Sequence, residues 1–245
     1  MKKVLLFLVA LCTIISCGRT LPTGEFTADV NGVSLLYEVQ GQGRPVILLH
    51  GNGGSHHDLD TLSAQMVRAG YRVYALDSRG QGANELLPEY HYADMAEDVW
   101  QFCELLDIEK PIVYGWSDGG IVALELELAH PGTVSLMAIS GANISVDCMD
   151  PGVWDEIFGD SDPSDPLIAM MMREPEIDPS ALEAIECPVL VCAGEHDLIS
   201  YKHTCLIAMH LHHSTLRIVP GEDHGSYIWH SPKMGEMLLE FIDGQ

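Results

Sequence analysis

Three side chains in this 245-residue chain have the types that acyl transfer to a nucleophile requires: Ser117, Asp197 and His224. A serine hydroxyl is a weak nucleophile until a base takes its proton, and a carboxylate orients that base and stabilises its cationic form. Each of the three follows a short apolar run that predicts a buried strand. Because the carboxyl ends of parallel strands meet at one edge of a sheet, we expect these side chains to lie close together.

The surroundings of Ser117 predict how its hydroxyl is presented. Residues 115–119 read Gly-Trp-Ser-Asp-Gly and fit the G-x-S-x-G pattern, in which the serine occupies a sharp strand-to-helix turn. The positions two residues away must be small, because larger side chains would clash across the turn. A helix-length apolar segment over 121–129 follows. Leu and Glu alternate over 124–128, which is typical of a strand, but the turn requires a helix and we predict one.

Two backbone N–H groups complete the predicted site. The glycine-rich run 50–54 follows a buried strand pattern, and its glycines let the backbone approach a substrate closely. We expect the N–H groups of Asn52 and Asp118 to form an oxyanion hole, aimed at the position where negative charge develops. The side chain of Asp118 has two interpretations: helix capping or a first-turn charge at the helix dipole, which we favour, and a carboxylate that binds a substrate ammonium. Arg79 is expected to brace its own loop.

Other acids and histidines compete for these roles. Asp147 and Asp150 follow the strand pattern that precedes the acid's own strand, and they are the alternative acids. His50 is interpreted as a structural residue that fixes the glycine-rich loop. The histidines on predicted helices and turns are interpreted as surface residues: His196, His203, His210, His212, His213 and His230. Because no carboxylate or cysteine stands at ligand spacing from the cluster at 210–213, we predict no metal site.

The order of the predicted elements indicates one α/β domain over 26–245. A hairpin around Asn31-Gly32 comes first, and alternating strand and helix patterns follow. A segment at about 147–186, rich in Pro, Asp and Met, interrupts the alternation before the last two strand patterns. We predict that this segment forms a small lid over the strand ends. The fold class is therefore predicted as α/β, a mostly parallel sheet with helices on both faces.

These motifs together resemble the α/β-hydrolase superfamily across about residues 26–243. The resemblance rests on the runs 50–54, 77–82 and 115–120, and on the late loops that hold the acid and the histidine. The chain order of nucleophile, acid and base is the order that this superfamily has. The run Gly-Trp-Ser-Asp-Gly-Gly at 115–120, with Gly-Ala-Asn at 141–143, is similar to the valacyclovir-hydrolase-like (biphenyl hydrolase-like) branch.

The resemblance implies a serine hydrolase that cleaves small carboxylic esters through an acyl-enzyme intermediate, with no cofactor and with a small molecule as its partner. Lactonase, thioesterase, amidase and carbon–carbon hydrolase activities use the same side chains and stay open. The branch also suggests esters that carry an ammonium group, such as amino-acid esters. An alternative from another class is an exported binding protein that keeps the fold without the chemistry, although the intact set of candidate residues argues against it.

The amino terminus predicts export. A basic start, Met1-Lys2-Lys3, precedes an apolar stretch over 4–15 that is too short to span a bilayer as a helix. The run Ile14-Ile15-Ser16-Cys17 resembles a bacterial lipobox, which implies removal of residues 1–16 and lipid on Cys17, with 17–25 as a tether. We expect a lipoprotein of a bacterial cell envelope that meets the membrane only through this lipid. The alternative is an ordinary signal peptide and a soluble periplasmic or secreted protein.

The net charge limits the classes of binding partner, and the cysteine content bears on disulfide formation. The formal net charge is −24 at pH 7, so the chain repels nucleic acid and anionic lipid head groups. Most of this charge is expected to be a solvated acidic surface. Five cysteines follow Cys17, with no C-x-x-C spacing, and an export route permits disulfides without indicating which of them pair: Cys103, Cys148, Cys187, Cys192 and Cys205.

Overall fold

An eight-stranded sheet forms the centre of the molecule in a computed structural model, which describes residues 22–245. The strand order is β1-β2-β4-β3-β5-β6-β7-β8. Strands β3 to β8 run parallel to one another, whereas β2 pairs antiparallel with both β1 and β4. The strands are β1 (Gly24–Val30), β2 (Val33–Gly41), β3 (Pro45–Leu49), β4 (Arg72–Leu76), β5 (Ile112–Trp116), β6 (Leu136–Ser140), β7 (Val189–His196) and β8 (Ser214–Asp223).

Helices cover both faces of this sheet. They are α1 (Asp60–Arg68), α2 (Tyr92–Leu105), α3 (Asp118–Ala129), α4 (Val153–Phe158), α5 (Pro166–Met171), α6 (Tyr201–His210) and α7 (Lys233–Asp243), with 3₁₀ helices at His56–Leu59 and Pro179–Ala184. Alternate residues of β3 point to opposite faces, so Ile47 joins the core under α2, α3 and α6, and Leu48 joins the core under α1 and α7. The predicted fold class is confirmed.

The predicted hairpin is confirmed at the first turn. Asn31 and Gly32 both have positive φ, at 43° and 78°, as a two-residue turn of the I′ type requires. The strands that flank them pair in register from Gly24 opposite Val39 to Val30 opposite Val33. Among residues 22–245, no helix is both long and apolar enough to cross a membrane.

The segment with alternating Leu and Glu is a helix, α3, as the turn at Ser117 required. This helix is buried on nearly all sides, so apolar residues occupy every face and the period of 3.6 is hidden. The buried carboxylate of Glu127 accepts hydrogen bonds from the backbone N–H groups of Gly132 (2.6 Å) and Val134 (2.9 Å). Glu127 therefore fixes the turn that leads from α3 to β6.

The segment predicted as a lid connects β6 to β7 and contains α4, α5 and the second 3₁₀ helix. It is fastened to the strand ends by the N–H of Ile177, which donates to Ile144 O (2.8 Å). The predicted signal peptide over 1–16 and the predicted lipid site at Cys17 lie outside the described residues. The five later cysteines are free thiols in the described part of the chain.

Candidate active site

Ser117 occupies the sharp turn between β5 and α3. Its backbone is strained, with φ 54° and ψ −117°, a conformation that non-glycine residues seldom adopt. A methyl group on Gly115 would overlap the carbonyl oxygen of Gly119, and one on Gly119 would overlap that of Leu49. Gly115 is thus required by a backbone contact across the turn, as the sequence predicted, whereas Gly119 is required by the backbone of the neighbouring strand β3.

The predicted base and acid are in contact. His224 Nδ1 lies 2.6 Å from Asp197 Oδ1. The Asp197 side chain is 2% exposed and also accepts hydrogen bonds from the N–H groups of Gly194 and Ile199, each at 3.1 Å. The backbone of the His224 loop is held by the Nε1–H of Trp116, which donates to His224 O (3.0 Å). The alternative acids, Asp147 and Asp150, are exposed.

Gly141 is a site residue whose role sequence reasoning missed. It follows β6 with φ +59°, and its N–H donates to Cys192 O (3.0 Å). A methyl group there would stand 2.7 Å from His224 Nδ1 and 3.4 Å from the nearer Asp197 oxygen. The imidazole therefore packs directly on the Cα of Gly141. The run Gly-Ala-Asn at 141–143 was the available signal, but it gave no role.

The side chain of Asp118 stands in the first turn of α3, where the favoured interpretation placed its charge, but it does not cap the helix. No side-chain hydrogen bond caps α3, and the Asp118 carboxylate instead accepts from Asn52 Nδ2 (2.8 Å) and from the Tyr92 hydroxyl (2.9 Å). Burial raises the pKa of Asp118, while the bonds from Asn52 and Tyr92 oppose that rise. The two residues predicted to supply oxyanion N–H groups are thus linked to each other through their side chains.

Two other predicted residues brace the loops around the site. His50 is buried, and burial lowers its pKa; its Nδ1 lies 2.6 Å from Gly51 O, and its Nε2 accepts from the N–H of Ser78 (3.0 Å). His50 therefore joins two strand-end loops as a neutral ring, as a structural residue would. Arg79 reaches beyond its own loop and forms a two-pronged ion pair with Asp98 of α2.

One histidine interpreted as a surface residue is buried. His203 is 6% exposed, and its Nε2 accepts from the N–H of Ile144 (3.0 Å). The ring satisfies a backbone donor next to the lid segment, a role that helix periodicity could not show. The other histidines of that group are exposed or partly exposed: His196, His210, His212, His213 and His230.

A cavity of about 400 Å³ opens in front of Ser117. His224 and the paired side chains of Asn52 and Asp118 line its floor. The lid segment supplies apolar wall residues, namely Trp154, Phe158, Ile168 and Met171. Asp58, Asp118 and Glu174 place three carboxylates on the cavity, and none of the described lining residues is Lys or Arg. Sequence reasoning missed Tyr92 and Glu174, because helix α2 and the lid segment carry no motif.

Comparison with known proteins finds relatives that are hydrolases. Residues 44–185 match the sequence model of the alpha/beta hydrolase fold. Serine hydrolase BPHL from Homo sapiens is 27% identical over 245 residues, which covers 87% of this chain and 84% of that protein. The CarC enzyme, a serine hydrolase involved in carbazole degradation, has a TM-score of 0.77 at 21% identity, covering 91% of this chain and all of that chain. A thermophilic esterase from Thermogutta terrifontis has a TM-score of 0.74 at 18% identity, covering 90% of this chain and 98% of that chain.

Proposed function

Since this chain belongs to the alpha/beta hydrolase fold family and is an enzyme of the hydrolase class, we propose that it is a serine hydrolase that cleaves small carboxylic esters. The observation that carries the proposal is the contact of 2.6 Å between His224 and Asp197 beside a strained Ser117, with Ser117 and His224 on one cavity. Similarity to a serine hydrolase and to an esterase supports the same chemistry.

The proposed reaction has two steps. Ser117 Oγ attacks the ester carbonyl carbon while His224 takes the hydroxyl proton, and the tetrahedral intermediate collapses to an acyl-serine as His224 gives that proton to the departing alkoxide. Water then attacks the acyl group with the same histidine as base, which releases the acid and restores Ser117. Asp197 holds the imidazole and stabilises its cationic form. The N–H groups of Asn52 and Asp118 donate hydrogen bonds that stabilise the negative charge on the carbonyl oxygen.

A fluorophosphonate probe tests the nucleophile. We expect one adduct per chain, on the peptide that contains Ser117, and no adduct in Ser117→Ala. A panel of esters, lactones and amides should then give its highest kcat/KM with an ester. Labelling that persists in Ser117→Ala would refute this assignment, and a wild-type protein that the probe does not label would support the binding-protein alternative.

Separate variants test the acid. Asp197→Asn should lower kcat by about 10⁴-fold, as loss of the orienting carboxylate does in related triads. Asp147→Asn is the matched control, because Asp147 is an exposed acid on the neighbouring strand-end loop. If the Asp147 variant were crippled and the Asp197 variant mildly affected, the acid would belong to the loop after β6.

Within this function we also propose a preference for esters that carry an ammonium group near the carbonyl. The Asp118 carboxylate is 5% exposed, lines the cavity, and its two hydrogen-bond partners there, Asn52 and Tyr92, are neutral. A carboxylate without a cationic partner in a partly dry cavity favours a cation beside it. Glu174 adds to the negative potential, although its carboxylate already contacts His91 Nδ1 at 2.6 Å.

The test compares an α-amino ester with its uncharged isostere. A charge-assisted contact contributes about 1.5–3 kcal/mol, so the amino ester should be favoured by roughly 10- to 100-fold in kcat/KM. Asp118→Asn should remove most of that preference and leave the isostere's turnover within a few fold. A ratio near one in the wild type, with the isostere turned over well, would leave the esterase proposal standing and remove the ammonium preference.

A further inference from the structure

A second cluster of side chains that could bind a ligand lies next to the glycine-rich loop, outside the candidate active site. Glu25 of the edge strand β1 meets His56 and His57 of the first 3₁₀ helix, and one ligand atom from each lies within 4.8 Å of the others. The three line a surface cavity of their own, which contains neither Ser117 nor His224. Nothing in the proposed reaction uses them.

His56 carries a ring nitrogen without a partner. The His56 side chain is 2% exposed, and its Nδ1 lies 2.7 Å from Asp77 Oδ1. A carboxylate accepts only, so Nδ1 carries a proton, and in the neutral ring Nε2 keeps its lone pair. Within the described chain, Nε2 is buried and has no hydrogen-bond partner, while Glu25 Oε1 lies 3.9 Å away. A buried acceptor without a hydrogen bond lowers the stability of the fold, so the unpartnered Nε2 of His56 requires an explanation.

We propose that Glu25, His56 and His57 bind one divalent transition-metal ion of the zinc class. Two imidazoles and one carboxylate form a donor set that suits zinc, whereas calcium and magnesium prefer oxygen ligands alone. The Asp77 carboxylate, hydrogen-bonded to the ring nitrogen opposite the metal, orients a metal-binding histidine in the usual way. Zinc bonds of about 2.0–2.2 Å require the three ligand atoms to draw closer together than they stand here. The side chains of Glu25 and His57 are 55% and 62% exposed, so both are free to move inward.

Bound metal would fasten the edge of the sheet to the loop that carries Asn52. Glu25 stands on β1, His56 follows the glycine-rich loop, and Asp77 also accepts from the N–H of Ala83 (2.9 Å) in the loop after β4. The ion would thus join three segments at the amino-terminal edge of the molecule. We expect a structural ion that raises stability, with ester turnover little changed.

The competing arrangement is an ion pair without metal. A doubly protonated His56 between Asp77 and Glu25 would also explain the short contact to Asp77, and His57 lies 3.5 Å from Asp60. The two arrangements differ in what they require of His57. A metal site needs its imidazole, whereas an ion pair between His56 and Glu25 does not.

The experiment titrates ZnCl₂ into chelator-stripped, untagged protein by calorimetry and follows Tm in parallel. We expect one site per chain with a Kd of micromolar or below, and a Tm rise of roughly 5–10 °C at about 100 times Kd. Glu25→Gln and His57→Ala should each weaken binding at least tenfold and remove the Tm rise. They are preferred to a His56 variant, which would disturb the buried contact to Asp77.

Two control variants locate the ion. His212→Ala/His213→Ala removes another adjacent, exposed histidine pair, and His224→Gln removes the histidine of the active site; neither should change zinc affinity. Absence of one-to-one binding at micromolar zinc would overturn the proposal. Unchanged affinity in both Glu25→Gln and His57→Ala, or loss of binding in either control, would overturn it as well.

Discussion

The absence of a side chain at Gly141 leaves the space in which the imidazole of the candidate base, His224, packs. The imidazole of His224 occupies the space that a Cβ would need, at 2.6–2.7 Å from two of its ring atoms. Gly141→Ala should therefore push the ring away from its contact with Asp197. A displacement of about 1 Å in a catalytic group costs roughly 10²-fold in rate, so we expect kcat for the best ester to fall by about that factor.

The control for Gly141→Ala separates displacement from backbone strain. Gly132 also has a positive φ, at 84°, but a methyl group there would meet no atom within 4 Å. Gly132→Ala should therefore lower Tm slightly through strain and leave kcat unchanged. If both variants kept wild-type kcat, the imidazole would have room to shift, and the packing on Gly141 would not position it.

The residues of the site differ in how far the sequence could predict them. Asp197 and His224 follow strand patterns in a known order, so their contact was predictable from topology. The hydrogen-bond partners of the Asp118 carboxylate were not predicted, because they come from elsewhere in the chain: Asn52 and Tyr92 are 66 and 26 positions away. The acceptors of a short side chain near a turn depend on which loops pack there, and no local pattern carries that information.

At the scale of elements, the ion pair between Arg79 and Asp98 joins the loop after β4 to helix α2. Both side chains are buried, at 8% and 2% exposure. Removing the arginine would leave a buried carboxylate without its cation, so Arg79→Met should destabilise the fold by about 3–5 kcal/mol. For a chain of this size that corresponds to a fall in Tm of roughly 10 °C.

Arg217→Met is the matched control for that prediction. Arg217 lies 3.7 Å from Glu240 and both side chains are more than half exposed, so the loss should be about 0–1 kcal/mol. Adding Asp98→Asn to Arg79→Met should recover part of the lost stability, because the buried charge is then removed. A fall in Tm that was equal for the two arginine variants would mean that burial does not set the cost.

Elements with a local sequence signal were easier to predict than the helix that lacks one. The turn at Asn31-Gly32 carried its own local signal, and so did the apolar runs that form β3 and β4. Helix α3 lacked helical periodicity because it is surrounded by core, and only the requirement of the turn at Ser117 identified it. The lid segment has weak periodicity because its short helices are held by contacts to strand ends.

At the scale of the whole molecule, the amino-terminal run ending in Cys17 is the basis for predicting where the enzyme works. If residues 1–16 are a lipoprotein signal, Cys17 carries the lipid and the chain stays with the membrane fraction. Cys17→Ser should then release the chain to the soluble fraction or leave it unprocessed, with ester turnover unchanged. Cys205→Ser is the control, since Cys205 is a free thiol in α6. Wild-type fractionation of Cys17→Ser would indicate a plain signal peptide.

The net charge of −24 also acts over the whole molecule, and salt separates its effect from that of the cavity. A negative field speeds the approach of any cationic ester, but the screening length falls from about 10 Å at 0.1 M salt to about 3 Å at 1 M. A contact with Asp118 inside a partly dry cavity is screened much less.

For the α-amino ester, kcat/KM in the wild type should therefore fall with added salt to a level still above that of the uncharged isostere. In Asp118→Asn the fall with salt should persist, and at high salt the two esters should become equivalent. If high salt abolished the preference in the wild type, the overall charge rather than Asp118 would be its source.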